Sequence, residues 1–376
     1  MTFKKINAWF HLWLGIASGI VVFVLGITGC VLVFEQEIKS LSSPWLHAEK
    51  PVDGKILPPS VLYKSVEKAL PAREIESVWY HGENQTAHFR IHESDSTVYV
   101  NPYTAKVIAM VSNEDIFNFF KDGHYYFWLP KEIGHQVTAW GTLIFFLLLI
   151  SGIILWWPKK WNKKGKEQSF KIRWKAKFKR INYDLHNVLG FYSVIIAIVM
   201  AFTALMMSFT WFNKSVYWLA GGENAPRIEA VSDTTSNLKP NLFSQIDKAW
   251  HKGVFELAEH NPYEILMHFP ETPTEAIYVC TDMYRGTWRD VYLDQYTLEE
   301  LPASNKRLRE ENLASWIRRS NYGLHVGLVG GVTTKIIYFL ASLICASLPI
   351  TGFYIWWGKK KKSNKIVKPK NSLTTA

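Results

Sequence analysis

Residues 182–209 read NYDLHNVLGFYSVIIAIVMAFTALMMSF. From Leu185 onward the stretch is apolar for more than twenty residues, enough to cross a hydrocarbon core of about 30 Å. Yet His186 stands in its first turn, where an ionisable ring is costly without a partner. The start of the chain repeats the pattern in WFHLWLGIASGIVVFVLGITG, with His11 in the same place. Two further apolar stretches reach spanning length. The chain is therefore expected to be a membrane α+β protein with four transmembrane helices at 9–35, 133–157, 185–212 and 331–357. The first is too long for a signal core, lacks a small-x-small cleavage site and runs into Glu35 and Glu37, so it reads as a span rather than a cleaved leader.

Charge sets the expected orientation. The net charge is +11, but the cations are clustered. Eleven Lys or Arg lie in the loop 158–184, seven in the tail 358–376, and Lys4 and Lys5 lie in the segment 1–8. The long segments 36–132 and 213–330 carry more acid than base. This is the positive-inside pattern, with both termini and the central loop cytoplasmic. Attraction to anionic lipid accounts for the basic runs, so no nucleic-acid partner is implied. Cys30, Cys280 and Cys345 form no Cys-x-x-Cys pair, which points to neither a disulfide framework nor a thiolate metal site.

The chain reads as one unit used twice. ISGIILWWPKK at 150–160 matches ITGFYIWWGKKKK at 350–362, and VYVNPYTAKVIAM at 98–110 matches VYLDQYTLEELPA at 291–303. The second pair reads as strand, polar turn, strand. Each half is then a span, an extracytoplasmic α+β module and a span. His11 and His186 both begin H-x-x-x-G, with Gly15 and Gly190 one turn on and on the same helix face. A glycine there leaves a flat gap beside a potential ligand. His124 and His325 precede the second span of each half, 32 and 31 residues before Trp156 and Trp356. The expectation is two metal centres, His11 with His186 at one end of the spans and His124 with His325 at the other. His135 also begins a span and competes with His124.

Taken singly, each such histidine is more often an interfacial residue than a ligand. Recurrence at matching positions of two half-chains shifts the balance toward ligation, since histidine is a usual axial ligand of haem iron. His47, His81, His88, His92, His251, His260 and His268 scatter through the inter-span segments and read as surface residues. Asp184 reads as a helix cap and Lys335 as a snorkelling side chain.

The motifs DLHNVLGFY, VYVNPYTAKV, GHYYFWLPKEIG, SGIILWWPKK, YGLHVGLVGG and ITGFYIWWGKK, in this order along nearly the whole chain, resemble the PepSY-associated transmembrane family. That family includes iron-regulated proteins and di-haem ferric-siderophore reductases of the bacterial inner membrane. The resemblance implies extracytoplasmic PepSY modules and two haem b groups held by His11, His186, His124 and His325. It also implies an oxidoreductase drawing electrons from a cytoplasmic or quinone donor to reduce a ferric siderophore outside, for iron uptake. The alternative it leaves is a cofactor-free, membrane-anchored regulator of an extracytoplasmic peptidase. No nucleotide-binding glycine motif appears in the cytoplasmic loops, so NAD(P)H and flavin are not expected to bind here.

Overall fold

The computed structural model describes residues 2–158, 160–223, 228–235, 240–261 and 263–366; the end of the expected basic tail and Lys159 lie outside these. In chain order the elements used below are α1 (Phe3–Leu32), α2 (Pro59–Ala69), β1 (Ile75–His81), β2 (Ala87–Ile91), β3 (Ser96–Val100), β4 (Val107–Ser112), α3 (Ile116–Tyr126), α4 (Lys131–Trp156), α5 (Phe178–Ser208), α6 (Leu242–Lys252), β5 (Glu264–His268), β6 (Ile277–Thr281), β7 (Arg289–Leu293), α7 (Leu313–Val326) and α8 (Gly331–Ile366). The chain divides into two units. One holds residues 1–34, 117–213 and 324–376, the other residues 35–116 and 214–323.

The first unit is a four-helix bundle. Its long helices α1, α4, α5 and the one running through α8 have the length and apolarity of membrane spans. α1 packs against α4 and α8, and α5 packs against the same two, so α1 and α5 face each other across the bundle. Small residues bring the backbones close: a Cβ on Gly26 would lie 2.9 Å from Ala346 Cβ, so any larger side chain forces α1 and α8 apart.

Several helix ends differ from the sequence expectation: α1 begins at Phe3, and α8 runs on to Ile366. The third span starts at Phe178, inside the basic loop, because the cationic 178–184 stretch continues the helix. Asp184 is therefore interior and not a cap. It is fully buried, accepts from Arg173 N–H and pairs with Arg180 at 2.8 Å. The same span ends at Ser208, where Phe209 turns extended. Lys335 is 5 % exposed, enclosed by protein rather than snorkelling.

The second unit is one seven-stranded antiparallel sheet of order β4-β3-β2-β1-β5-β6-β7. Two separate modules were expected. Instead, the first strands of the two halves, β1 and β5, pair directly, with Trp79 opposite Leu266. The inward faces of both halves make one core, from Leu62, Val78 and Phe89 to Ile246, Ile265 and Val279. Across it Asp247 on α6 accepts from both the backbone and the hydroxyl of Ser60 on α2.

The repeat survives in local detail. Asn101 Oδ1 accepts from the Tyr103 and Thr104 amides, and Asp294 Oδ1 accepts from the Tyr296 and Thr297 amides. The next residues, Ala105 and Leu298, both take left-handed conformations (φ 56° and 61°). After this shared Asx turn the halves diverge. The first continues into β4, whereas the second forms a Leu293–Glu300 bridge and irregular hydrogen bonds from the Leu301 and Asn305 amides to the Tyr292 and Asp290 carbonyls, without a regular strand.

Two histidines expected at the surface are half-buried on the second face of this sheet. His81 stacks on Trp79 (4.2 Å) and against His88 (3.9 Å), which meets Tyr99 (4.5 Å). The Nε2 atoms of both are shut off from solvent without a hydrogen-bond partner among the described residues. Burial lowers both pKa values, His88 to about 3. The unfolded chain, titrating near 6.5, then binds more protons than the folded one below that pH. Stability is full above pH 6.5 and falls as pH drops toward 3. For His88 alone the loss between pH 7 and pH 5 is about 2 kcal/mol. Hydrogen exchange of the β1–β3 amides, corrected for intrinsic rate, is expected to show it, and His88→Gln to flatten the dependence. A pH-independent opening free energy in the parent protein would contradict the burial.

Candidate metal centres

His11 lies two turns into α1. His186 lies in a π-helical turn (Leu185–Leu189) of α5, the kind of local widening that recurs at functional sites. Because α1 and α5 are diagonal, the two rings face each other, with centroids 6.4 Å apart. At the other end His124, on the short helix α3, meets His325, on the last turn of α7, at 6.2 Å. A tight turn with Phe127 and Trp128 at positive φ (54° and 55°) joins α3 to α4, and Thr138 on α4 donates to the Tyr125 carbonyl of α3. His135, on α4, is half-buried and makes no ring contact with His325 among the described residues.

A ring separation near 6 Å also fits an ordinary aromatic contact. The hydrogen bonds are more discriminating. His11 Nδ1 contacts Ser151 Oγ (2.6 Å), His186 Nδ1 contacts Thr351 Oγ1 (2.9 Å), His124 Nδ1 contacts Thr28 Oγ1 (2.9 Å) and His325 Nδ1 contacts Thr203 Oγ1 (3.0 Å). In every case the same oxygen also lies within hydrogen-bond distance of a carbonyl one turn back, to which the hydroxyl can donate: Leu148, Leu348, Val24 and Val199 respectively. A hydroxyl bonded in that way accepts from an imidazole that carries its proton on Nδ1, the tautomer these contacts favour. Carbonyls of Leu348 and Met200, 3.1 Å from His186 and His325 Nδ1, impose the same tautomer. All four Nε2 atoms then hold a lone pair, and none has a hydrogen-bond partner among the described residues.

These hydroxyls escaped the sequence reading, although the repeat contains them. Ser151 and Thr351 directly precede Gly152 and Gly352 of the paired ISG and ITG motifs. Thr28 and Thr203 each lie seventeen residues after His11 and His186. At about 1.5 Å per residue that interval is roughly 25 Å, so the two pairs stand near opposite ends of the bundle. A model of the PepSY-associated TM region matches residues 8–359. The chain belongs to this family. Among curated proteins, none matches it.

The residues of this PepSY-associated chain fit a haem iron at each end. A metal–imidazole bond of about 2 Å, with the ring centre roughly 1 Å behind the nitrogen, gives about 6 Å between centroids for an ion clamped by two imidazoles. No group of three or more His, Cys, Asp or Glu converges among the described residues. Each end thus offers two imidazoles, a donor set suited to an ion that brings its remaining ligands with it. Glycine does contribute, but only partly where expected. A Cβ on Gly15 would meet nothing within 4 Å, which matches a gap beside His11, whereas at Gly190 it would touch Leu348 at 3.5 Å. The glycines that let the rings approach are others. Cβ atoms on Gly152, Gly352 and Gly29 would lie 3.4, 3.3 and 3.4 Å from Cε1 of His11, His186 and His124.

Proposed function

We propose that this chain is a transmembrane oxidoreductase of the bacterial cytoplasmic membrane, holding one haem b between His11 and His186 and a second between His124 and His325. When bound, the two irons supply reversible one-electron chemistry, moving electrons from a cytoplasmic or quinol donor to a ferric siderophore on the far side. Reduction from iron(III) to iron(II) weakens the hold of hard oxygen ligands and frees the metal for uptake.

The observation that carries this reading is the fourfold Nδ1 tether. Each half of the chain supplies its own hydroxyls, and each pair takes one histidine from each half. The tethers fix the tautomer and the direction of every Nε2, the task of outer partners at metal sites. The positive-inside pattern of the basic clusters supports a cytoplasmic His11–His186 end, with the segments carrying His124 and His325 on the periplasmic side. A cofactor-free regulator of an extracytoplasmic peptidase would leave four matched tethers without a purpose.

Purified from haem-replete cells, the protein is expected to carry two haems per chain with a low-spin b-type spectrum. After dithionite it should pass electrons to a ferric chelate. Haem-free protein under those conditions would sink the proposal.

A further inference from the structure

Residues 4–15 read KKINAWFHLWLG and residues 179–190 read KRINYDLHNVLG, identical at six of twelve positions. The shared asparagines, Asn7 and Asn182, lie four residues before His11 and His186, one turn away on the same helix face. Both reach across to the neighbouring helix. Asn7 Nδ2 donates to the Ser151 carbonyl on α4 (3.0 Å), and Asn182 Nδ2 donates to the Thr351 carbonyl on α8 (3.0 Å). Those are the residues whose hydroxyls meet Nδ1 of His11 and His186. Each helix pair is thus joined at two atoms of one residue, its carbonyl by the asparagine and its hydroxyl by the histidine. Three residues before the asparagines, Lys4 donates to the Trp157 carbonyl and Lys179 to the Gly358 carbonyl. The motif makes the same contacts in both halves. Packing alone would not direct both asparagines to the residue that carries the hydroxyl.

We propose that Asn7 and Asn182 are positioning residues of the His11–His186 centre, each holding the plane of one facing ring through the hydroxyl-bearing residue it clamps. An imidazole bound to a metal through Nε2 can still rotate about that bond. Nδ1 lies off the axis, so the direction of its acceptor sets the rotation. A single bond to Ser151 Oγ leaves α4 free to turn about the contact, and the second bond, from Asn7, removes that freedom. The His11 and His186 rings stand at 88° to each other, whereas His124 and His325 stand at 58°. The mutual angle of two axial imidazoles governs the splitting of the iron d orbitals, so the clasps tune the electronics of this haem. This role rests on the haem reading above and adds what keeps the two planes crossed.

Crossed planes give low-spin iron(III) a strongly anisotropic EPR signal, and planes nearer parallel give a rhombic one. Asn7→Leu keeps the bulk and removes the donor. In loaded, full-length protein it is expected to shift the His11–His186 signal toward the rhombic form. It should also speed haem loss from that site about tenfold, the lower end for an outer partner of a metal ligand. The His124–His325 signal should stay in place, and Asn7→Gln, which keeps the amide, should restore much of the parent signal. Asn182→Leu should do less, because the Leu348 carbonyl also holds His186 Nδ1. Loss of packing alone predicts the reverse order, since Asn182 is buried and Asn7 half-buried. An unchanged signal in Asn7→Leu, or a larger change in Asn182→Leu, overturns the assignment. Ring-nitrogen NMR of labelled histidine in the haem-free chain reads the clasp without the cofactor. There Asn7→Leu should move the His11 resonances alone, and unmoved resonances overturn the role whether or not haem binds. A chain that takes up no haem yet shows the shift sinks the haem reading and keeps the clasp.

Discussion

His186→Ala is expected to purify with one haem per chain in place of two, and to lose electron transfer to an external ferric chelate. The side chain sits in a π-helical turn with its Nδ1 held by Leu348 and Thr351, and its Cε1 rests over Gly352. Nothing else among the described residues offers His11 a partner at that end. The His124–His325 pair lies about 25 Å along the helices and uses different hydroxyls, so its spectrum should persist. Bundle packing is carried by other contacts, such as Leu149, Val194, Ala197 and Cys345, and the helical circular dichroism should therefore change little. His135→Ala is the control and is expected to retain both groups. A His186→Ala protein that keeps two low-spin haems, or a His135→Ala protein that loses one, contradicts the pairing.

The second large effect is expected from the hydroxyls. Ser151→Ala should weaken haem retention by roughly 10- to 100-fold, the usual range for an outer partner of a metal ligand. His11 Nδ1 has Ser151 as its one acceptor among the described residues, so the variant frees both the tautomer and the ring angle. Thr351→Ala should do less, because the Leu348 carbonyl still accepts from His186 Nδ1. Ser151→Thr keeps a hydroxyl and should restore retention. At the other end Thr28→Val, nearly isosteric, should affect only the His124–His325 spectrum. Haem-transfer rates to apomyoglobin, read at the Soret band, measure all four variants. Equal loss in Ser151→Ala and Thr351→Ala would show that the tautomer argument is misplaced.

Much of this arrangement was legible because membrane insertion leaves strong marks. Four apolar stretches, interfacial Trp pairs and clustered cations define spans without tertiary information. The duplicated motifs then placed His11 against His186 and His124 against His325, since equivalent positions of two repeats fall at equivalent depths. The Ser151–Thr351 and Thr28–Thr203 pairs obeyed the same spacing. They went unnoticed because a hydroxyl in an apolar helix reads first as a residue bonding its own backbone, which these also do.

Other features depend on the partner rather than on the pattern. Alternation in IESVWYH and EILMH marks two strands and their faces, but not that β1 pairs with β5 across nearly two hundred residues. An edge strand is satisfied by any compatible edge. The same ambiguity hid the enclosure of the His81 and His88 Nε2 atoms, since the polar alternation of these residues matches a solvent-facing position until the neighbours are known.

The sequence by itself determined the four spans, their expected orientation, the repeat and the four histidines, because hydrophobic length, charge asymmetry and duplication are properties of the linear chain. Only the tertiary structure decided that His124 rather than His135 meets His325, that both inter-span segments share one sheet, and that Nδ1 of every facing ring meets a hydroxyl. Those outcomes depend on distances between side chains far apart in sequence, set by the turn at Phe127 and Trp128, by edge-strand pairing and by helix hydroxyls that the fold brings to each ring.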